Sequence, residues 1–153
     1  MSKIRSFAFF CGFVTSLSTA AWAADDDILF GAPLSDDEQS IPTESPGSGY
    51  AEFRLERETL KLSWKVVYKD ITSPPIEISL YGPENVGANA GMIVNLAEKG
   101  SDSPVTESTI LSDGNFQYLI TTRVYVNIKT QKWKDGELRG QVRRLRSAPP
   151  ITN

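Results

Sequence analysis

The chain has 153 residues, a net charge of −3 and 40% hydrophobic residues, which suits one globular domain. It has no histidine and a single cysteine, Cys11. The commonest general acid–base and pH switch is therefore missing, and so are the usual ligands of zinc, copper and iron–sulfur sites, leaving oxygen ligands for any metal. The acidic balance also argues against a nucleic-acid partner.

Residues 1–23 have the pattern of a secretory signal peptide. Lys3 and Arg5 form a positive start, Phe7 to Leu17 an apolar run too short to span a bilayer stably, and Ala21-Trp22-Ala23 a cleavage site. Cys11 would leave with the peptide, so the mature chain would have neither thiol nor disulfide and would rely on its apolar core. Export follows, to a periplasm or to the extracellular space, with no membrane span after cleavage.

Residues 24–48 are acidic, with no Lys or Arg, and rich in Ser, Pro and Gly. This composition predicts a flexible leader in which Ile28-Leu29-Phe30 is disordered or loosely docked, with docking as an edge strand the alternative. The folded domain is expected over 49–146, with a Pro-containing tail at 147–153.

From Gly49, strand signals follow one another. Ala51, Phe53 and Leu55 alternate with Glu52 and Arg54; after a turn, Leu62, Trp64 and Val66 alternate with Lys61, Ser63 and Lys65. The two runs should pair as an antiparallel hairpin. Ser73-Pro74-Pro75 marks a loop. Ile76, Ile78 and Leu80 predict a third strand ending at Gly82-Pro83, followed by a Gly/Asn-rich loop over Glu84 to Gly91. Met92 to Leu96 and Val105 to Leu111 predict two more strands. Ser112-Asp113 is suited to capping a short helix over Gly114 to Thr121, with a loop as the alternative.

The best-defined stretch is Val124 to Val142. Val124, Val126 and Ile128 alternate with Tyr125, Asn127 and Lys129; after Lys134-Asp135-Gly136, Leu138, Gly140 and Val142 alternate with Glu137, Arg139 and Gln141. This predicts a hairpin of two half-buried strands. About seven short strands with at most one short helix predict an all-β fold, an antiparallel β-sandwich or flattened barrel, superoxide-dismutase-like or immunoglobulin-like.

The order of GYAEFRL, a strand ending in Tyr81-Gly82-Pro83, YVNIKT (Tyr125–Thr130) and GELRGQV (Gly136–Val142) resembles the CHRD (chordin) domain family, in its single-domain exported form. The resemblance covers Gly49 to Arg143. It implies an all-β sandwich. It also implies imidazoles where this chain has Ser79, Tyr81 and Lys129, so that any metal or catalytic site built on them would be lost here.

Ser79, Tyr81, Tyr125 and Lys129 are the candidates for a ligand-binding constellation, which the resemblance would gather at one end of the sandwich. A lysine beside a tyrosine can lower the phenol's pKa, so a Tyr/Lys enzyme is one alternative. Trp133, between Lys132 and Lys134, is expected to be exposed and to contact a protein or glycan. Asn127 should bond a neighbouring loop, Glu137 and Arg139 should form a charge pair pinning the hairpin register, and Gly140 should mark a bulge or close backbone approach. The leading expectation is an exported, non-catalytic module without cofactor or metal that binds an envelope or extracellular protein or polymer. The other alternative is a degenerate metal-site relative serving as a structural subunit.

Overall fold

The structure is a computed structural model and describes residues 27–85 and 87–146. The signal-peptide region and the tail at 147–153 lie outside the described residues.

Nine strands and one helix follow in order: β1 (Ile28–Leu34), β2 (Ser48–Glu56), β3 (Lys61–Lys69), β4 (Pro75–Tyr81), β5 (Met92–Ala97), β6 (Val105–Ile110), α1 (Asp113–Ile120), β7 (Tyr125–Thr130), β8 (Leu138–Gln141) and β9 (Arg143–Arg144). They form two antiparallel sheets, ordered β6-β3-β2-β1-β9 and β5-β4-β7-β8. The fold is an all-β sandwich.

The period-two pattern accounts for the core. In the larger sheet Phe53 lies opposite Trp64 and Leu55 opposite Leu62, all buried. In the smaller sheet Ile78 lies opposite Ile128, Leu80 opposite Val126, and Ile128 opposite Leu138, also buried. These inward faces meet as one apolar cluster. Trp64 crosses the gap, its Nε1 donating to the Leu96 carbonyl at 2.9 Å. The helix forms as its cap predicts: Ser112 accepts from the Asn115 N–H, and Leu119 is buried in the core.

Two expectations need correction. The segment expected to be a flexible leader contains β1, which sits inside the larger sheet between β2 and β9, with Ile28, Phe30, Ala32 and Leu34 buried. Acidic residues flank ILFGAPL but do not enter it, so averaging over 24–48 hid an apolar strand. Among the described residues the folded body therefore extends back to β1, ahead of residue 49.

Nor is the β7–β8 hairpin half-buried. Tyr125, Asn127, Glu137, Arg139 and Gln141 face away from the core, yet all are buried. The chain between β1 and β2 and the loop after β4 lie over this outer face. The Ser35 N–H donates to the Arg139 carbonyl at 3.0 Å, and the Arg139 N–H to the Ser35 carbonyl at 2.9 Å. β8 is thereby bridged on its free side.

A covered polar face on the smaller sheet

Pairing within the smaller sheet fixes which polar side chains meet on its outer face. Glu77 is opposite Lys129, Ser79 opposite Asn127 and Tyr81 opposite Tyr125; Asn127 is in turn opposite Arg139. Four of these form a stack. The Lys129 Nζ lies 4.9 Å from the Tyr81 ring centroid. The Tyr81 and Tyr125 rings are 5.4 Å apart and within 11° of parallel. The Arg139 guanidinium sits 3.6 Å over Tyr125. Of the predicted constellation, Tyr81, Tyr125 and Lys129 are thus stacked across a sheet face rather than at one end of the sandwich, while Ser79 lies opposite Asn127 outside the stack.

Its electrostatics are those of a neutralised cluster. Lys129 pairs with Glu77 at 3.1 Å, and the Tyr81 hydroxyl donates to the same carboxylate. Burial raises the Tyr81 pKa, and the bond to Glu77 raises it further, against the lowering effect of Lys129. For Glu77, burial is outweighed by the bonds from Tyr81 and Lys129, and its carboxyl is held below the usual range. For Lys129, burial is outweighed by Tyr81 and Glu77, and its ammonium is held above its ordinary value. At neutral pH the phenol is protonated, the lysine charged and the carboxylate ionised. The lysine that sequence reasoning offered as an activator of tyrosine is committed to a carboxylate that reasoning left out.

Glu137 and Arg139 do not form the expected charge pair. They are two apart, but each is drawn to a different part of the chain. The Glu137 carboxylate is fully buried and accepts from the Ser45 hydroxyl (2.7 Å), the Thr72 N–H (2.8 Å), the Thr72 hydroxyl (2.8 Å) and the Thr130 hydroxyl (2.6 Å). Burial pushes its pKa up, but these bonds outweigh that and hold it below the usual carboxylate range. Arg139 donates to the Asn89 side-chain oxygen at 3.1 Å and the Ala88 carbonyl at 2.6 Å, while the Ala90 N–H donates to the Tyr125 hydroxyl at 3.0 Å. The Gly/Asn-rich loop is clamped down at these points.

Asn127 donates to the Asp135 carbonyl at 2.8 Å and accepts from the Gln39 side-chain amide at 2.9 Å, joining the hairpin turn to the segment before β2. Gly140 sits against β1, where an added Cβ would lie 2.0 Å from the Pro33 carbonyl oxygen. Among the described residues no group of three or more acidic or sulfur ligands comes together in a way that could hold a metal ion.

Trp133 is half-buried rather than exposed, with the Lys132 Nζ 5.1 Å from its ring centroid. Its indole N–H is buried and meets no acceptor among the described residues. Trp133 lines a groove of about 460 Å³ between residues 39–43 and the 132–136 turn, with Asn89 on a third side. The groove does not include Ser79, Tyr81, Tyr125 or Lys129, so the predicted site residues divide between two places.

The CHRD domain family model matches residues 30–142. The chain belongs to the CHRD domain family. No curated protein and no solved structure matches it. The matched span starts within β1 and ends just before β9, so this CHRD domain includes the strand expected to be leader, both walls of the groove and the whole Glu77–Arg139 face. Sequence reasoning missed Gln39, Thr43, Ser45, Thr72 and Asn89, which partner that face. They are polar residues in loops 50 to 94 positions from their partners, and no local spacing marks them. Among the described residues, no helix is long and apolar enough to cross a membrane.

Proposed function

We propose that this CHRD domain is an exported, non-catalytic binding module whose contact site is the Trp133 groove and whose partner is an envelope or extracellular protein or polymer. The observation that carries the reading is the half-buried Trp133 indole lining a concave groove between two loop segments. An aromatic side chain in a groove of this size, among cationic and polar neighbours, suits contact with a ligand. Export rests on the signal-peptide pattern.

The non-catalytic part of the reading is supported by the state of the tyrosine–lysine cluster. A general base needs an accessible lone pair near neutral pH; Tyr81 is protonated and Lys129 is charged and ion-paired. Pull-down from envelope extract with wild-type and Trp133→Ala protein tests the reading. A partner retained by the wild type and lost by the variant supports it. Equal retention removes Trp133 from the contact. Hydrolytic activity abolished by Lys129→Met would replace the binding reading with an enzymatic one.

A further inference from the structure

The walls of the groove differ in character. On one side stand Gln39, Ser40 and Ile41, the last 79% exposed; on the other stand Lys132, Trp133 and Lys134, with Asp135 the one acid in the lining. Asn89 closes the third side. Its side-chain oxygen is taken by Arg139, which leaves its NH2 group to donate. Gln39 is fixed by Asn127, and Gly136 carries no side chain because an added Cβ would lie 2.2 Å from the Asn127 amide oxygen. The lining is thus rich in donors: two ammonium groups, an amide NH2 and a serine hydroxyl, with one carboxylate against them. A complementary ligand brings acceptors and negative charge.

The backbone narrows the class. Peptides commonly bind by extending a free sheet edge. Here the nearest edge, β8, is closed: the Arg139 backbone is bridged on both sides to Ser35, and the Glu137 carbonyl accepts from the Thr43 hydroxyl at 3.2 Å. Strand addition being closed off, recognition falls mainly to side chains, namely the Asn89 amide, the Ser40 hydroxyl, two lysines and an aromatic ring. That set fits a polyhydroxylated ring bearing carboxylates. The size fits as well, since small-molecule sites run from about 300 to 1,000 Å³.

We propose that the groove binds a polyuronate, a carboxylated polysaccharide, with a sugar ring against Trp133 and its carboxylates on Lys132 and Lys134. This rests on the binding-module reading and specifies its ligand. The test is calorimetric titration of the purified chain at low salt with polygalacturonate, dextran and poly-glutamate. Polygalacturonate should bind, and Lys132→Gln/Lys134→Gln should weaken it at least tenfold while leaving the melting temperature unchanged, because both lysines are exposed. Raising the salt to 0.5 M should weaken the wild type more than the double variant. Equal binding of dextran, equal binding of poly-glutamate, or an unchanged affinity in the double variant would each overturn the proposal. If no polymer binds while a protein partner is captured in a Trp133-dependent way, the polyuronate falls and the binding-module reading stands.

Discussion

Replacing Glu137 is the most direct test of how the outer face of the smaller sheet is held. The carboxylate is fully buried and has no cation partner among its contacts; four hydrogen bonds from Ser45, Thr72 and Thr130 compensate it. Truncation to alanine leaves the buried Thr130 hydroxyl without its acceptor and frees two loops, at a cost of about 3–5 kcal/mol, similar to removing one partner of a buried ion pair. At roughly 4 °C per kcal/mol for a domain of this size, the melting temperature should fall by about 12–20 °C. Glutamine should do much better. Its oxygen can take the place that receives Ser45 and the Thr72 N–H, while its NH2 faces the Thr72 and Thr130 hydroxyls, which can turn to accept. Only the charge assistance is lost, about 1–2 kcal/mol. The sign with pH is fixed by the lowered pKa. The carboxylate's contribution is complete above the ordinary glutamate value of about 4.3 and disappears as the pH falls through the lower folded-state value. Urea unfolding at pH 7 and pH 3.5 should therefore show the wild type ahead of Glu137→Gln at pH 7 and the gap closing in acid. A glutamine variant as stable as the wild type at pH 7, or a gap that is constant or wider at pH 3.5, would refute the reasoning.

Arg139→Lys keeps the charge but loses the planar stack on Tyr125 and one of the two bonds to the 88–89 loop. It should cost about 2–3 kcal/mol and speed amide exchange at Ala90, which hydrogen-exchange mass spectrometry would detect. Gly140→Ala drives a methyl into the Pro33 carbonyl oxygen and should destabilise the protein by about 3 kcal/mol or more, measured by thermal melting. Lys129→Met removes the partner of a half-exposed carboxylate. Stability should change by no more than about 1 kcal/mol, but the Glu77 carboxyl should titrate at higher pH, which carbon NMR would show.

The fold was legible in the sequence where one side of a strand faces water. Alternation over Ala51 to Leu55 and Leu62 to Val66 located β2 and β3 and gave their pairing. Legibility failed at β1 and on the outer face of the hairpin, for different reasons. Sequence alternation shows that polar side chains point away from the core; it does not show whether water or another piece of chain lies beyond them. ILFGAPL was lost because the acidic residues on both sides of it dominate the composition of the segment, although its partner β2 follows directly. Arg139 and Glu137 looked like mutual partners because they are two apart, but loops that no spacing predicts supply their actual contacts.

That covering layer also explains why the candidate residues separate into a structural group and a binding group. Glu77, Tyr81, Tyr125, Lys129 and Arg139 satisfy one another or the loop above them, and a ligand reaching them would first have to displace bonds already made. Trp133 differs because the turn that holds it is fixed from beneath by Asn127 and, through Thr130, by Glu137, while its ring lines the open groove. The same contacts that consume the polar face hold both sides of the groove: Gln39 and Thr43 through Asn127 and the Glu137 carbonyl, and the turn through the bond from Asn127 to the Asp135 carbonyl. A substitution at Asn127 that breaks both its bonds should therefore weaken ligand binding at Trp133 without touching any ligand. The same loss of affinity should follow, more mildly, from Glu137→Gln. If Asn127→Ala lowered stability and left the affinity unchanged, the groove would have to be formed by the turn alone, and the link between the buried face and the binding site would be wrong.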